Sequence, residues 1–148
     1  MAARTSSTSR TDAAGIVLRA GIVALALATG YIHLTLGGML FTLNAIGYAT
    51  LAAAMVVPLA FVAQRRLVVR LALAGFTAMT IVGYLLIGPY FQLGFITKGI
   101  EVALLAVLAV DTFRTHGGPV SIAGELRDIL VDAVAIVTRR ERPGLAGA

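Results

Sequence analysis

Long runs without a charged side chain dominate the hydrophobic pattern of this chain. No Asp, Glu, Lys or Arg occurs from residue 20 to residue 64, between Arg19 and Arg65. A helix needs about 20 apolar residues to cross the hydrocarbon core of a bilayer, so this run is long enough for two crossings. Gly37 and Gly38 divide the run, and they predict the turn between the two helices.

The same pattern predicts four membrane-spanning helices, because a chain in lipid must satisfy its backbone hydrogen bonds within each crossing. The predicted crossings are residues 15–36, 39–63, 71–88 and 93–113. A basic segment, residues 64–70, connects the second helix to the third, and the turn at residues 89–92 connects the third to the fourth. The predicted fold is therefore all-α, a polytopic membrane protein with a four-transmembrane-helix bundle.

The pattern becomes amphipathic after Gly117 and Gly118. Apolar residues recur at helical spacing across residues 122–137, acidic residues occupy the other side, and Ser121 is the predicted N-cap. This helix is expected to lie along the cytoplasmic interface, as a surface anchor or as a docking helix for a partner. The predicted organisation is a flexible cytoplasmic tail (1–12), a transmembrane domain (13–116), and a cytoplasmic interfacial amphipathic helix and tail (117–148).

Composition supports this placement. The chain is 59% apolar and 13% charged, with a mean hydropathy of +0.94, outside the range of ordinary soluble domains. Cysteine is absent, which excludes disulfides, thiolate nucleophiles and thiolate metal ligands. Basic residues flank the first helix, fill segment 64–70 and follow the fourth helix, so the positive-inside rule predicts that both termini are cytoplasmic. The net charge of +5 then reflects orientation and contact with anionic lipid rather than nucleic acid.

Polar residues within the predicted helices define one candidate site. Lys98 and Glu101, at spacing i, i+3, share a face of the fourth helix. His33 lies near the outer end of the first helix, on a stripe of small residues that is expected to face protein. Folding the topology brings Asn44 of the second helix and Tyr84 of the third to a similar depth in the outer half. These five residues are the predicted binding residues.

Two interpretations of this cluster remain open. In the structural one, Lys98 and Glu101 neutralise each other and the remaining polar residues hydrogen-bond between helices. In the functional one, the cluster lines a cavity that binds a quinone headgroup, a lipid headgroup or a proton. His33 is then the titrating group and Lys98 the contact to an anion.

Other activities have little support in the sequence. The two histidines, His33 and His116, are predicted near opposite faces of the membrane, so they cannot hold one haem between them. No hydrolase, metalloprotease, ATPase or dinucleotide-binding motif is present. No catalytic or metal-binding residue is assigned, and a protein without enzymatic activity is favoured.

Two segments of the first helix carry a resemblance to a known family. Leu18-Arg19-Ala20-Gly21 near its start and Gly30-Tyr31-Ile32-His33-Leu34 near its end, in a four-helix chain of this length, resemble the small DoxX-like membrane proteins of bacteria. Members of that family are four-helix bundles, and some are attached to quinone-linked sulfur oxidation or to membrane redox-stress complexes. The resemblance implies an accessory role beside a redox enzyme in the bacterial cytoplasmic (inner) membrane, and it favours a quinone as ligand.

The function favoured by the sequence is that of a non-catalytic accessory subunit or assembly factor of a larger membrane complex, with a redox complex as one candidate. Its expected partners are membrane lipids and other membrane subunits or a second copy of the chain. No resident cofactor is predicted, and a quinone is the candidate ligand. The alternative is a quinone-, lipid- or small-solute-binding membrane protein that uses the polar cluster. An exporter ranks third, because four short helices would have to oligomerise to enclose a path.

Overall fold

The computed structural model describes the backbone of residues 6–57 and 65–140, and the side chains of residues 13–57 and 65–136. Within those ranges the chain forms five helices and no strand. The helices are α1 (Ser6–Leu36), α2 (Met39–Val56), α3 (Arg66–Ile87), α4 (Gln92–His116) and α5 (Pro119–Arg140). The all-α prediction is confirmed for this part of the chain.

Four helices are long and apolar enough to cross a membrane, as the hydrophobic pattern predicts. The candidate spans are Ala13–Leu36, Met39–Val56, Arg66–Ile87 and Gln92–His116. The first helix begins at Ser6, ahead of the predicted start of the crossing. Residues 58–63, the predicted end of the second crossing, lie outside the described residues, as do residues 1–5 of the predicted tail.

The turn between α1 and α2 is built from glycine for a conformational reason. Gly37 has a φ of 70° and Gly38 a φ of 84°, in the region that side chains with a Cβ rarely adopt. The two residues reverse the chain at the predicted position. They also define one end of the helices, hereafter the Gly37 end, where α1 and α3 finish and where α2 and α4 begin.

Residues up to Thr112 form one compact unit, whose core draws on all four of its helices. The core side chains are Ile22 and Ala26 of α1, Tyr48, Ala52 and Met55 of α2, Leu73 of α3, and Leu104 and Leu108 of α4. Small residues let the helices approach closely, because a Cβ on Gly30 would lie 3.2 Å from the Cβ of Tyr48. Ala26, Gly30 and His33 are all buried, so their stripe faces protein as expected.

The predicted connection between the second and third crossings is wrong at Arg70. It was assigned to basic segment 64–70, but α3 begins at Arg66 and Arg70 lies inside the helix with 1% exposure. Its Nε donates a hydrogen bond to Oδ2 of Asp111 on α4 at 2.7 Å. Because a buried guanidinium is stable only when paired, this carboxylate lets the helix extend past the charge. The pair also joins α3 to α4.

The chain from Phe113 onward forms a second compact unit. Gly117 has a φ of 83° and its N–H donates to the carbonyl of Phe113, which ends α4. Across the turn, Nδ1 of His116 lies 2.7 Å from Oε2 of Glu125. Helix α5 begins at Pro119, so Ser121 lies in its first turn rather than at the predicted N-cap; proline is favoured there because its ring presets φ. Its interfacial position stays a prediction.

Candidate functional site

The carboxylate of Glu101 is the centre of the polar cluster in the first unit. It is fully buried on the α4 face that meets α1. Nζ of Lys98, one turn earlier on α4, donates to Oε2 at 2.5 Å, and the hydroxyl of Thr29 on α1 donates to Oε1 at 3.1 Å. The structure therefore contains the ion pair expected from the i, i+3 spacing. The hydrogen bond from Thr29 also connects this pair to α1.

His33 lies beside this carboxylate. Its Nδ1 is 2.8 Å from the carbonyl oxygen of Thr29, which can only accept, so Nδ1 carries the hydrogen. Its Nε2 consequently faces Oε1 of Glu101, at 3.8 Å. That distance is longer than a hydrogen bond but short enough for a direct electrostatic interaction. Rings of Phe41 and Tyr48 on α2 enclose the imidazole, with centroids 6.0 and 5.7 Å away.

Most of the bonding capacity of Lys98 is already used within the protein. Besides its bond to Glu101, Nζ donates to the carbonyl of Thr80 on α3 at 3.2 Å. The ammonium also lies 5.4 Å from the centroid of the Tyr84 ring, within range of a cation–π interaction. The sequence suggested Lys98 as the contact to an anion, but in the structure the carboxylate of Glu101 already balances its charge.

A chain of hydroxyl groups continues the cluster from α2 to α3. The hydroxyl of Thr80 donates to the carbonyl of Thr77 at 2.8 Å, which uses its one hydrogen. Tyr48, whose hydroxyl oxygen lies 2.9 Å from that of Thr80, must therefore be the donor in their bond. These hydroxyl groups and the Lys98 ammonium together link α3 to its two neighbours.

A cavity of about 400 Å³ opens at the Gly37 end, bounded by all four helices of the first unit. Its walls are largely apolar, with Leu36, Leu40, Phe76, Met79 and Ile87 among them. The polar groups that line it are His33, Asn44, Thr80, Tyr84, Thr97 and Lys98. Four of the five predicted residues thus share one cavity. Glu101 does not line it and lies behind Lys98.

Two of the predicted residues have polar groups without an internal partner. No described residue forms a hydrogen bond with the Asn44 side chain, which is half-buried on the cavity wall. The Tyr84 hydroxyl is buried and also has no partner in the described part of the chain. It lies against Gly94, where a Cβ would be 2.5 Å from the hydroxyl oxygen. Tyr90 and Phe95 pack edge-on against the Tyr84 ring.

The sequence predicted the central residues of the site but not all the residues that hydrogen-bond within it. Thr29 was not singled out, although its spacing of four residues from His33 places both on one face of α1. Tyr48 and Thr80 were not among the predicted binding residues either. Their roles depend on which helices face each other, and that is visible only in the fold.

Comparison of the chain with protein-family models, curated proteins and solved structures finds no match. The resemblance to DoxX-like proteins therefore rests mainly on the residues of the first helix and on the four-helix layout, and it stays a prediction. The chemistry that the site can perform is set by the groups that it contains. These are one neutralised ion pair, one imidazole, one amide without a partner and an apolar cavity.

Proposed function

We propose that this chain is a multi-pass membrane protein that binds a small amphiphile, such as a quinone or a lipid, in the cavity at the Gly37 end. The observation that carries the proposal is the combination of apolar walls with a few polar groups at the base. This is the usual composition of small-molecule sites, and the volume of about 400 Å³ lies within their usual range. A quinone is the member of this ligand class that the first-helix resemblance favours.

Asn44 supports binding over a purely structural role. An amide within a membrane-spanning helix is costly unless it finds a hydrogen-bond partner. A side chain that served only to join helices would be expected to bond to one of them, as Thr29 and Tyr48 do. Asn44 instead lines the cavity with no partner among the described residues. A ligand head could supply that partner.

The proposed location is the bacterial cytoplasmic membrane, with both termini in the cytoplasm. Under this orientation the Gly37 end, and the cavity with it, lies in the outer half of the bilayer. Helix α5 would then lie along the cytoplasmic interface as an amphipathic helix. Exposed apolar side chains such as Val120, Val131 and Val134, on a helix that also carries acidic residues, support that position.

A cavity-filling substitution tests the binding function. Gly83 lines the cavity, and a Cβ at this position would have no atom within 4 Å. Gly83→Leu should therefore fill part of the cavity without a clash at the Cβ of the new side chain. Gly75→Leu is the matched control, because Gly75 lies on the same helix with equal room but does not line the cavity. Each variant is purified in native lipid, and its extracted amphiphiles are quantified by mass spectrometry. We expect Gly83→Leu to lose an amphiphile that the parent chain and Gly75→Leu retain; equal retention by all three would overturn the proposal.

An accessory role in a larger complex is the second candidate function. Gly99 on α4 is exposed and has open space where a side chain would be, which suits the close approach of a helix from another subunit. Purification under native conditions followed by mass spectrometry of companion proteins tests it. A stoichiometric partner supports this role, whereas a chain that purifies alone with an amphiphile supports only the binding function.

A further inference from the structure

The polar base of the cavity has no net charge. Lys98 contributes one positive charge and Glu101 one negative charge, and the two are in direct contact. An anionic head placed here would have to compete for the ammonium with the Glu101 carboxylate, which lies behind Lys98 and is already bonded to it. A cationic head would face the ammonium itself. Because both kinds of ion lose their hydration on entry, the base of the cavity disfavours each of them.

Among the described groups that line the cavity, Asn44 and Lys98 have donor hydrogens available; the Tyr84 hydroxyl also has one, but its oxygen is buried against Gly94. Both threonines that line the cavity use their hydroxyl hydrogen on a backbone carbonyl, Thr80 on that of Thr77 and Thr97 on that of Leu93. Lys98 has three ammonium hydrogens, of which two are directed to Glu101 and to Thr80. The Asn44 amide has two N–H groups with no partner among the described residues. The Asn44 amide and the Lys98 ammonium can therefore both donate to an acceptor on the ligand.

We propose that the cavity selects amphiphiles with an uncharged head that accepts hydrogen bonds, such as a carbonyl, and that the Asn44 amide is the group that recognises it. A carbonyl oxygen has two lone pairs and no charge, so it can accept from Asn44 and from Lys98 without disturbing the Lys98–Glu101 pair. This inference rests on the proposed binding function and names its ligand class. Phosphate, carboxylate and sulfonate heads are excluded by the same charge balance.

Three photoaffinity probes test the selection. They share one diazirine-bearing alkyl chain and end in a methyl ketone, an alcohol or a sulfonate, which stays anionic at all pH values used. The protein is held in phosphatidylcholine nanodiscs, and labelling of cavity residues is measured against probe concentration. We expect the ketone to reach half-maximal labelling at a concentration about tenfold below that of the sulfonate. This ratio corresponds to the free energy of about one charge-assisted hydrogen bond. The alcohol oxygen is also an uncharged acceptor, so the alcohol should reach half-maximal labelling at a concentration close to that of the ketone.

Each outcome bears on a different claim. If no probe labels the cavity residues, the proposed binding function fails. If the sulfonate labels at concentrations equal to or below those of the ketone, the cavity binds amphiphiles but the inference about charge is wrong. If the alcohol labels no better than the sulfonate, the inference that the cavity selects an uncharged acceptor is wrong.

A substitution at Asn44 tests the recognising group. Asn44→Leu replaces the amide with an apolar side chain of similar size, and we expect it to weaken ketone labelling about three- to tenfold while leaving sulfonate labelling unchanged. Thr42→Val is the control, since Thr42 lies on the same helix, bonds to the carbonyl of Gly38 and does not line the cavity. Size-exclusion chromatography and the thermal unfolding midpoint establish that each variant is folded. Unchanged ketone labelling in a folded Asn44→Leu protein would overturn the assignment.

Discussion

Removing either member of the Lys98–Glu101 pair is expected to destabilise the bundle more than removing both. The perturbations are Lys98→Met, Glu101→Gln and the double substitution. Glu101 is fully buried, and it accepts hydrogen bonds from Lys98 and from Thr29. Lys98 has 13% of its side chain exposed and borders the cavity. The two single substitutions therefore leave different uncompensated charges.

The magnitude follows from those environments. Leaving one charge of a buried pair without its partner costs about 3–5 kcal/mol. We expect Lys98→Met near the upper end, because the remaining carboxylate has no route to solvent, and Glu101→Gln near the lower end, because the ammonium can turn toward the cavity. The double substitution leaves no charge behind and loses only hydrogen bonds, about 1–2 kcal/mol in total. The coupling energy between the two sites, which is the sum of the single losses minus the double loss, should then be about 6 kcal/mol.

The assay is reversible unfolding in mixed micelles, with the free energy of unfolding measured for the parent chain and the three variants. A second cycle that combines Glu101→Gln with Thr42→Val serves as control, because Thr42 bonds only to the nearby Gly38 carbonyl and should give additive losses. Additive losses in the Lys98–Glu101 cycle as well would refute the reasoning. They would mean that the two charges are not stabilised by each other.

The remaining predictions concern other buried groups and the topology. Tyr84→Phe removes a buried hydroxyl that has no partner among the described residues, so the free energy of unfolding should rise by about 1 kcal/mol. Tyr90→Phe, the control, removes a hydrogen bond to a backbone carbonyl and should lower the free energy of unfolding by about the same amount; a lower value for both variants would contradict the prediction. Asp111→Asn should cost about 3–5 kcal/mol by leaving Arg70 uncompensated, and a loss below 1 kcal/mol would argue against it. A cysteine at Gly38 should react with an impermeant reagent from the outside only; reaction from the cytoplasmic side would reverse the topology.

The parts of the structure that depend on local pattern could be predicted from the sequence. The four spans follow from runs of apolar residues, and the turn follows from the paired glycines at Gly37 and Gly38. The Lys98–Glu101 contact also follows, because helical geometry alone fixes residues at i, i+3 on one face. Shared depth in the folded topology was enough to bring His33 close to that pair.

The parts that depend on helix rotation could not be predicted. The pairing of Arg70 with Asp111 requires α3 and α4 to turn particular faces toward each other, and no spacing along the chain encodes that. The bonds from Thr29 to Glu101 and from Tyr48 to Thr80 have the same origin. The cavity is harder still to predict, because it depends on the open space beside Gly83 and on the packing of Tyr84 against Gly88 and Gly94.

The Arg70–Asp111 pair has a consequence for how the protein is made. During synthesis α3 emerges before α4, so Arg70 reaches the insertion machinery while its carboxylate partner is still untranslated. An arginine costs about 2.5–3.5 kcal/mol at the centre of an inserting helix, and less toward its ends. Helix α3 should therefore remain at the translocon until α4 arrives, and the two should enter the lipid together as a hairpin. A nascent chain that ends at Gly88 and continues in a polar linker long enough to span the ribosomal tunnel would then still crosslink to the translocon, whereas one that includes α4 before the linker would be released.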